Sequence, residues 1–146
     1  MDDTEKLHKK VKNILYSLTG ITLSENKDIM IANRLHKLRR DTKFKGDIDD
    51  LLNTISNDQN YVPEFINSFT TNKTHFFRED FHFEDLRDRV IPDFVKSGKE
   101  LKMYCSASST GEEPYSMAMT VFEANRIFNS KIKSSIIATD IDTNVL

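Results

Sequence analysis

Residues 101–140 read LKMYCSASSTGEEPYSMAMTVFEANRIFNSKIKSSIIATD. Leu101 to Ala107 is a short, mostly apolar run with no charge after Lys102. Ser108 to Gly111 is a small polar turn. Pro114 then opens a helix to about Phe128, with Met117, Val121, Ala124 and Phe128 on its inner side. Ser135 to Ala138 forms a second apolar strand, ending in Thr139-Asp140-Ile141-Asp142. Strand, tight turn, helix, strand is a βαβ unit, which predicts a parallel sheet with a right-handed crossover.

Upstream, Phe81 to Val95 predicts one amphipathic helix with Phe83, Leu86, Val90 and Phe94 on one side, stopped by Gly98. Thr70 to Thr74 (TTNKT) is a run of turn-forming polar residues and marks a linker. The residues before it are helical in pattern. Leu7, Val11, Ile14, Leu15 and Leu18 form an apolar stripe that ends at Gly20. Ser24 is placed to cap a second helix that buries Ile31, Leu35 and Leu38; Asp47 precedes a third with Ile48, Leu51, Leu52 and Ile55. A fourth spans Asp58 to Phe69, with Phe65, Ile66 and Phe69 inward. The expected organisation is a helical domain over 1–70, a linker over 71–80 and the start of an α/β domain with a parallel sheet over 81–146.

Composition narrows the function classes. The 146 residues are 30% charged and 38% hydrophobic, which excludes a disordered tail. No apolar run approaches the ~20 residues of a membrane-spanning helix, and the charged N-terminus lacks a signal-peptide core. A single cysteine excludes an internal disulfide and suits a reducing cytoplasm. The net charge of −2 gives no bulk affinity for nucleic acid.

Ligands of parallel βαβ units bind beyond the carboxyl ends of the strands. The turn 106–113 (SASSTGEE) and Asp140 both land there. A carboxylate after the second strand can accept both hydroxyls of a ribose. The turn has one glycine rather than G-x-G-x-x-G, and its two adjacent glutamates repel phosphate at a helix N-terminus. NAD and ATP are disfavoured; a nucleoside carrying a cation and no phosphate, such as S-adenosylmethionine, fits better. Structural readings stand beside these: Thr110-x-x-Glu113 matches a capping box, and Asp140 can cap a turn.

Three motifs in order, TTNKTHFFR (70–78), SASSTGEEPYS (106–116) and TDIDT (139–143), resemble the chemotaxis receptor methyltransferases, the CheR family. LTGITLSENKDIMIANRLHKLRR (18–40) is similar to that family's N-terminal helical domain. The resemblance implies methylation of glutamate side chains on methyl-accepting chemotaxis receptors, using S-adenosylmethionine and releasing S-adenosylhomocysteine. It implies cofactor contacts at Asn72, Thr74, Arg78, Glu113 and Asp140. Arg78 is the one catalytic candidate, its fork holding either the cofactor's carboxylate or the receptor glutamate. A glutamate is already ionised at neutral pH, so in-line displacement at the sulfonium methyl requires no general base. Arg34, Lys37 and Arg40, at i, i+3 and i+6, share a helix face. In the family reading that face meets the acidic receptor helices.

Other residues are given structural roles. Cys105 is expected as a buried small hydrophobe. Phe76, Phe77, Phe81, Phe83 and Tyr115 are expected in the core. His75 and His82 lack a third ligand at metal spacing. No membrane insertion is expected. A non-catalytic module of the same fold, docking on a receptor or another acidic helix, is the alternative function; nucleic-acid binding through Arg34 to Lys45 is a weaker one. Two strands under one covering helix cannot bury both sheet faces. The chain is therefore expected to be truncated and to have little activity alone.

Overall fold

The computed structural model describes residues 3–25 and 27–146. The chain divides into two compact units, the first ending at Thr71 and the second beginning at Asn72.

The first unit is all-helical: α1 (Asp3–Thr19), α2 (Asp28–Asp41), α3 (Ile48–Asn57), a 3-10 turn (Gln59–Tyr61) and α4 (Val62–Phe69). Its core is the predicted apolar stripes brought together. Val11, Leu15, Ile31, Leu35, Leu51, Leu52 and Phe65 are almost fully buried in one cluster. Each such side chain contributes about 1.5–3 kcal/mol of burial free energy. Gly20 takes the left-handed conformation (φ +74°) that ends α1. Asp47 caps α3 with a reciprocal box: its side chain accepts from the Asp50 N–H, and the Asp50 side chain accepts from its own.

Three expectations shift. Ser24 does not cap α2; Lys27 holds that position without a side-chain bond, and the first helical bond runs from the Ile31 N–H to the Lys27 carbonyl. Asp28 in the first turn meets the helix dipole instead, and buried His8 bonds its carboxylate at 2.7 Å. Leu18, in the last turn of α1, is 37% exposed rather than part of the buried stripe. The segment before Val62 tightens into a 3-10 turn, so α4 starts later than predicted, with Pro63 in its first turn.

The second unit carries α5 (Phe81–Asp85), a π turn (Leu86–Val90), α6 (Ile91–Ser97), β1 (Leu101–Ser106), α7 (Glu112–Ile127) and β2 (Ser134–Thr139). The helix predicted over 81–95 is divided in three. Pro92 has no N–H to offer the preceding turn, and the Ile91 N–H reaches back five residues to the Leu86 carbonyl, widening the helix there. Gly98 ends it with φ +66°. β1 and β2 pair in parallel, Leu101 opposite Ser134 through Ser106 opposite Thr139. Alternation puts Leu101, Met103 and Cys105 on the helix-covered face. There Leu101 packs with Ile91, Val121 and Ala124. Phe128, expected inward, lies past the end of α7 and is 38% exposed.

Candidate functional site

The predicted ligand-binding end of the parallel pair is built from short bonds. The Ser108 N–H donates to the Thr139 carbonyl at 2.9 Å, extending the strand pairing into the turn. Within 107–111, Ala107 (φ 58°), Ser109 (φ 47°) and Gly111 (φ 101°) are left-handed. For a non-glycine residue this costs roughly 1 kcal/mol or more, so the turn must be held by its bonds. Asp140 does the holding. One carboxylate oxygen accepts the Ser109 N–H at 2.7 Å and the other accepts the Asp142 N–H at 2.8 Å. Each oxygen keeps a second lone pair. The turn-capping reading of Asp140 is therefore realised, and it leaves acceptor capacity for a ligand.

The capping box at the start of α7 is not formed. Gly111 takes the N-cap position, with no side-chain bond. Thr110 donates its hydroxyl to the Glu112 carboxylate at 2.6 Å. Glu113 thus falls second in the helix, not third, and is exposed. Gly111 is required twice: its φ suits glycine, and a Cβ there would meet the Tyr115 ring at 3.3 Å. Buried Cys105 is the penultimate residue of β1. Burial foremost, then the negative charge of Glu113 and a hydrogen bond to it, then the charge of Asp140, push its thiol up to about 11. Glu113 follows the turn in the first turn of α7, and Asp140 holds that turn through the Ser109 N–H.

The segment from Asn72 to Glu79 is tied to the same end. The Ser109 hydroxyl donates to the Asn72 carbonyl at 2.9 Å, and the Asn72 side-chain NH2 donates to Asp142 at 2.7 Å. Further on, the Phe77 N–H donates to the hydroxyl of fully buried Ser116 at 2.9 Å. Phe77 and Glu79 are left-handed at φ 53° and 55°. Thr74 is half-buried between these ties. Arg78 is exposed and closes the loop by donating to the Lys73 carbonyl at 3.3 Å. So Asn72, Glu113 and Asp140 are brought together, with Thr74 and Arg78 on the anchored segment leading away. Phe76, Phe77, Phe81 and Tyr115 are 43–66% exposed, not core; only Phe83 of that group is buried, edge-on to Phe77 at 5.3 Å. Asp142, Ser109 and Ser116 are the anchors that sequence reasoning missed. The second aspartate of TDID carried a signal, since the i, i+2 spacing of a D-x-D pair puts both side chains on one side of an extended strand end.

The donor set discriminates among ligands. The turn 106–113 and the strand end 139–142 contain two glutamates, two aspartates and no lysine or arginine. A phosphate is repelled there, whereas ribose hydroxyls and a positively charged sulfonium are suited. Among the described residues, no group of three or more His, Cys, Asp or Glu is placed to hold a metal ion.

In the first unit, the cations predicted to share a face divide. Arg34 turns to the end of α4, donating to the Ser68 and Thr70 carbonyls at 3.0 and 3.1 Å, with its charge 6.0 Å over the Phe69 ring. Those carbonyls belong to the partly negative C-terminal end of α4, so Arg34 is a C-terminal brace. Lys37 and Arg40 are exposed, Arg40 beside Asp41 at 3.3 Å.

Comparison with known proteins agrees with this geometry. The model of the CheR methyltransferase SAM-binding domain matches residues 72–146, and that of the CheR all-alpha domain matches residues 8–70. The chain belongs to the CheR methyltransferase family. Chemotaxis protein methyltransferase 2 of Pseudomonas aeruginosa is 37% identical over 143 residues, covering 98% of this chain and 50% of its own. The chemotaxis protein methyltransferase of Escherichia coli is 38% identical over 140 residues, covering 94% and 46%. That of Borreliella burgdorferi is 34% identical over 152 residues, covering 97% and 52%. The chain thus spans about half the length of the curated CheR relatives it matches. CheR membership carries the fold class, an all-α domain followed by a methyltransferase SAM-binding domain, and indicates S-adenosylmethionine as the methyl donor. No helix among the described residues is long and apolar enough to cross a membrane.

Proposed function

We propose that this chain serves S-adenosylmethionine-dependent methylation of glutamate side chains on cytoplasmic helices of chemotaxis receptors. One observation carries the reading: Asp140 holds the 107–111 turn through two backbone N–H bonds and keeps acceptor capacity at the end of the strand pair, where no side chain caps α7 and the turn and strand end contain no lysine or arginine. Asp140 accepts the ribose hydroxyls on the lone pairs its backbone bonds leave over. Glu113 supplies a second carboxylate at the nucleoside. Asn72 and Thr74 close the site from the anchored segment, and Arg78 pairs with a carboxylate. When bound, S-adenosylmethionine supplies an electrophilic methyl group on its sulfonium. The protein's part is to align and dehydrate the acceptor carboxylate, and positioning of this kind supplies up to ~7–11 kcal/mol. No base is needed because the acceptor is ionised at neutral pH. Residues 1–70 face the receptor, with the exposed charge of Lys37 and Arg40 guiding acidic helices and Arg34 behind them.

Calorimetry with S-adenosylhomocysteine tests the cofactor half of the proposal. Binding is expected, at least tenfold weaker in Glu113→Ala and Asp140→Ala. A folded chain that does not bind it sinks the proposal. For the substrate half, whatever label passes from S-adenosylmethionine to a purified receptor signalling domain, however slowly, should be base-labile, the signature of a glutamyl methyl ester. Base-stable label rejects the glutamate assignment.

A further inference from the structure

Asp142 is 2% exposed, the most deeply buried acid at the strand ends. Its N–H donates to Asp140 at 2.8 Å. Its Oδ1 accepts the Asn144 N–H at 2.9 Å, and its Oδ2 accepts from the Asn72 Nδ2 at 2.7 Å. Burying a carboxylate costs several kcal/mol unless it is bonded on all sides. Ending a strand with a turn needs only the Asn144 bond, which an exposed aspartate supplies equally well. Burial and the reach to Asn72, 70 residues away in sequence, call for another reason.

The chemistry of the pair gives one. Both Asp142 oxygens accept, so the group facing them must donate. The Asn72 amide therefore has one permitted orientation, with its NH2 toward Asp142 and its carbonyl oxygen turned away. The Asn72 main chain is fixed as well, by the Ser109 hydroxyl at 2.9 Å. We infer that Asp142 is a positioning residue: it sets the polarity of the Asn72 amide, so that an acceptor oxygen meets an N–H or O–H donor of the cofactor. Through its own N–H it also orients Asp140, so one buried residue aligns two groups of the site. This inference rests on the cofactor reading above.

The test uses the 146-residue chain and four forms: wild type, Asp142→Asn, Asn72→Ala and the double variant. Nitrogen-15 NMR follows the Asn72 side-chain NH2, and calorimetry follows S-adenosylhomocysteine; β1 and α7 amide signals confirm the fold. In wild type, one Asn72 NH2 proton should be protected from solvent exchange. Asp142→Asn should remove that protection and weaken binding about tenfold. The double variant should bind no more weakly than Asn72→Ala alone, because Asp142 acts through Asn72. Free exchange of the Asn72 NH2 in wild type overturns the inference without any variant. An equal loss from Asp142→Asn in the wild-type and Asn72→Ala backgrounds also overturns it. Protected Asn72 protons in a wild-type chain that does not bind S-adenosylhomocysteine support the amide polarity and reject the cofactor reading instead.

Discussion

Glu113 and Asp140 are both acidic, flank the same thiol and serve the same proposed ligand, yet their substitution should separate binding from stability. Asp140 accepts two backbone N–H groups, from Ser109 at 2.7 Å and Asp142 at 2.8 Å. Bonds to a charged acceptor contribute about 1.5–3 kcal/mol each. Asp140 is half-buried, so water can replace part of what Asp140→Ala removes, which puts the loss at about 2–3 kcal/mol. For a unit of this size that is a fall of roughly 10–20 °C in melting temperature. Glu113 is exposed and makes no capping bond to α7, so Glu113→Gln should cost no more than the ~0.3–1 kcal/mol of its charge in the first turn. Both substitutions should weaken S-adenosylhomocysteine at least tenfold. Urea unfolding monitored on the second unit, beside calorimetry of the same samples, measures the two quantities. Equal destabilisation by Glu113→Gln and Asp140→Ala would refute the division of labour. So would loss of binding in Asp140→Ala with no loss of stability, since the two backbone bonds would then carry nothing.

Other sites yield simpler tests. Arg34→Ala removes the brace on the Ser68 and Thr70 carbonyls and should cost about 1–2 kcal/mol in thermal melts, whereas Lys37→Glu should stay within about 0.5. Cys105 should react slowly with a thiol reagent at pH 8 and speed up about tenfold per unit as pH rises toward its pKa of about 11; Glu113→Gln should quicken it. Because that pKa is raised above the ordinary 9.0, the thiol's contribution to stability is complete below pH 9 and is lost as pH climbs through 11. Gly111→Ala should destabilise the second unit by about 1–2 kcal/mol, and Tyr115→Ala should rescue it only in part, because the strain of the φ of +101° remains.

What the sequence disclosed follows the range of the forces involved. Apolar periodicity located α1 to α3, α7 and the body of α4, and short apolar runs located both strands, because the spacing of neighbouring residues decides which face can be buried. Asp47 was legible as a cap because its partner, Asp50, is three residues away. Ser24 was not, because the end of α2 is settled by His8, twenty residues upstream and invisible to a local reading. The π turn before Pro92 was half-legible: proline announced a break, but not that the helix would widen and continue. At the site, Asp140 stood out by its place after a strand. Asp142, Ser109 and Ser116 did not, since each acts by reaching across the fold to 72–77.

Structural and functional demands coincide at the start of α7. A helix N-terminus gains about 0.3–1 kcal/mol from each acid in its first turn, and Glu112 and Glu113 supply two. In nucleotide-binding βαβ units that same N-terminus is kept free for phosphate. Here the acids take up its positive potential, and the glycine at the N-cap makes no side-chain bond. The helix is stabilised by the residues that exclude a phosphate, and Asp140 is fixed by bonds that leave its outer lone pairs open. On the proposed reading, a βαβ unit of this kind selects its nucleoside by charge. Replacing both glutamates with glutamine should therefore weaken S-adenosylhomocysteine while raising affinity for AMP, and calorimetry with both ligands reads the exchange. An AMP affinity that stays flat would mean that charge at α7 does not set the choice, and the selectivity would then have to lie in the shape of the turn.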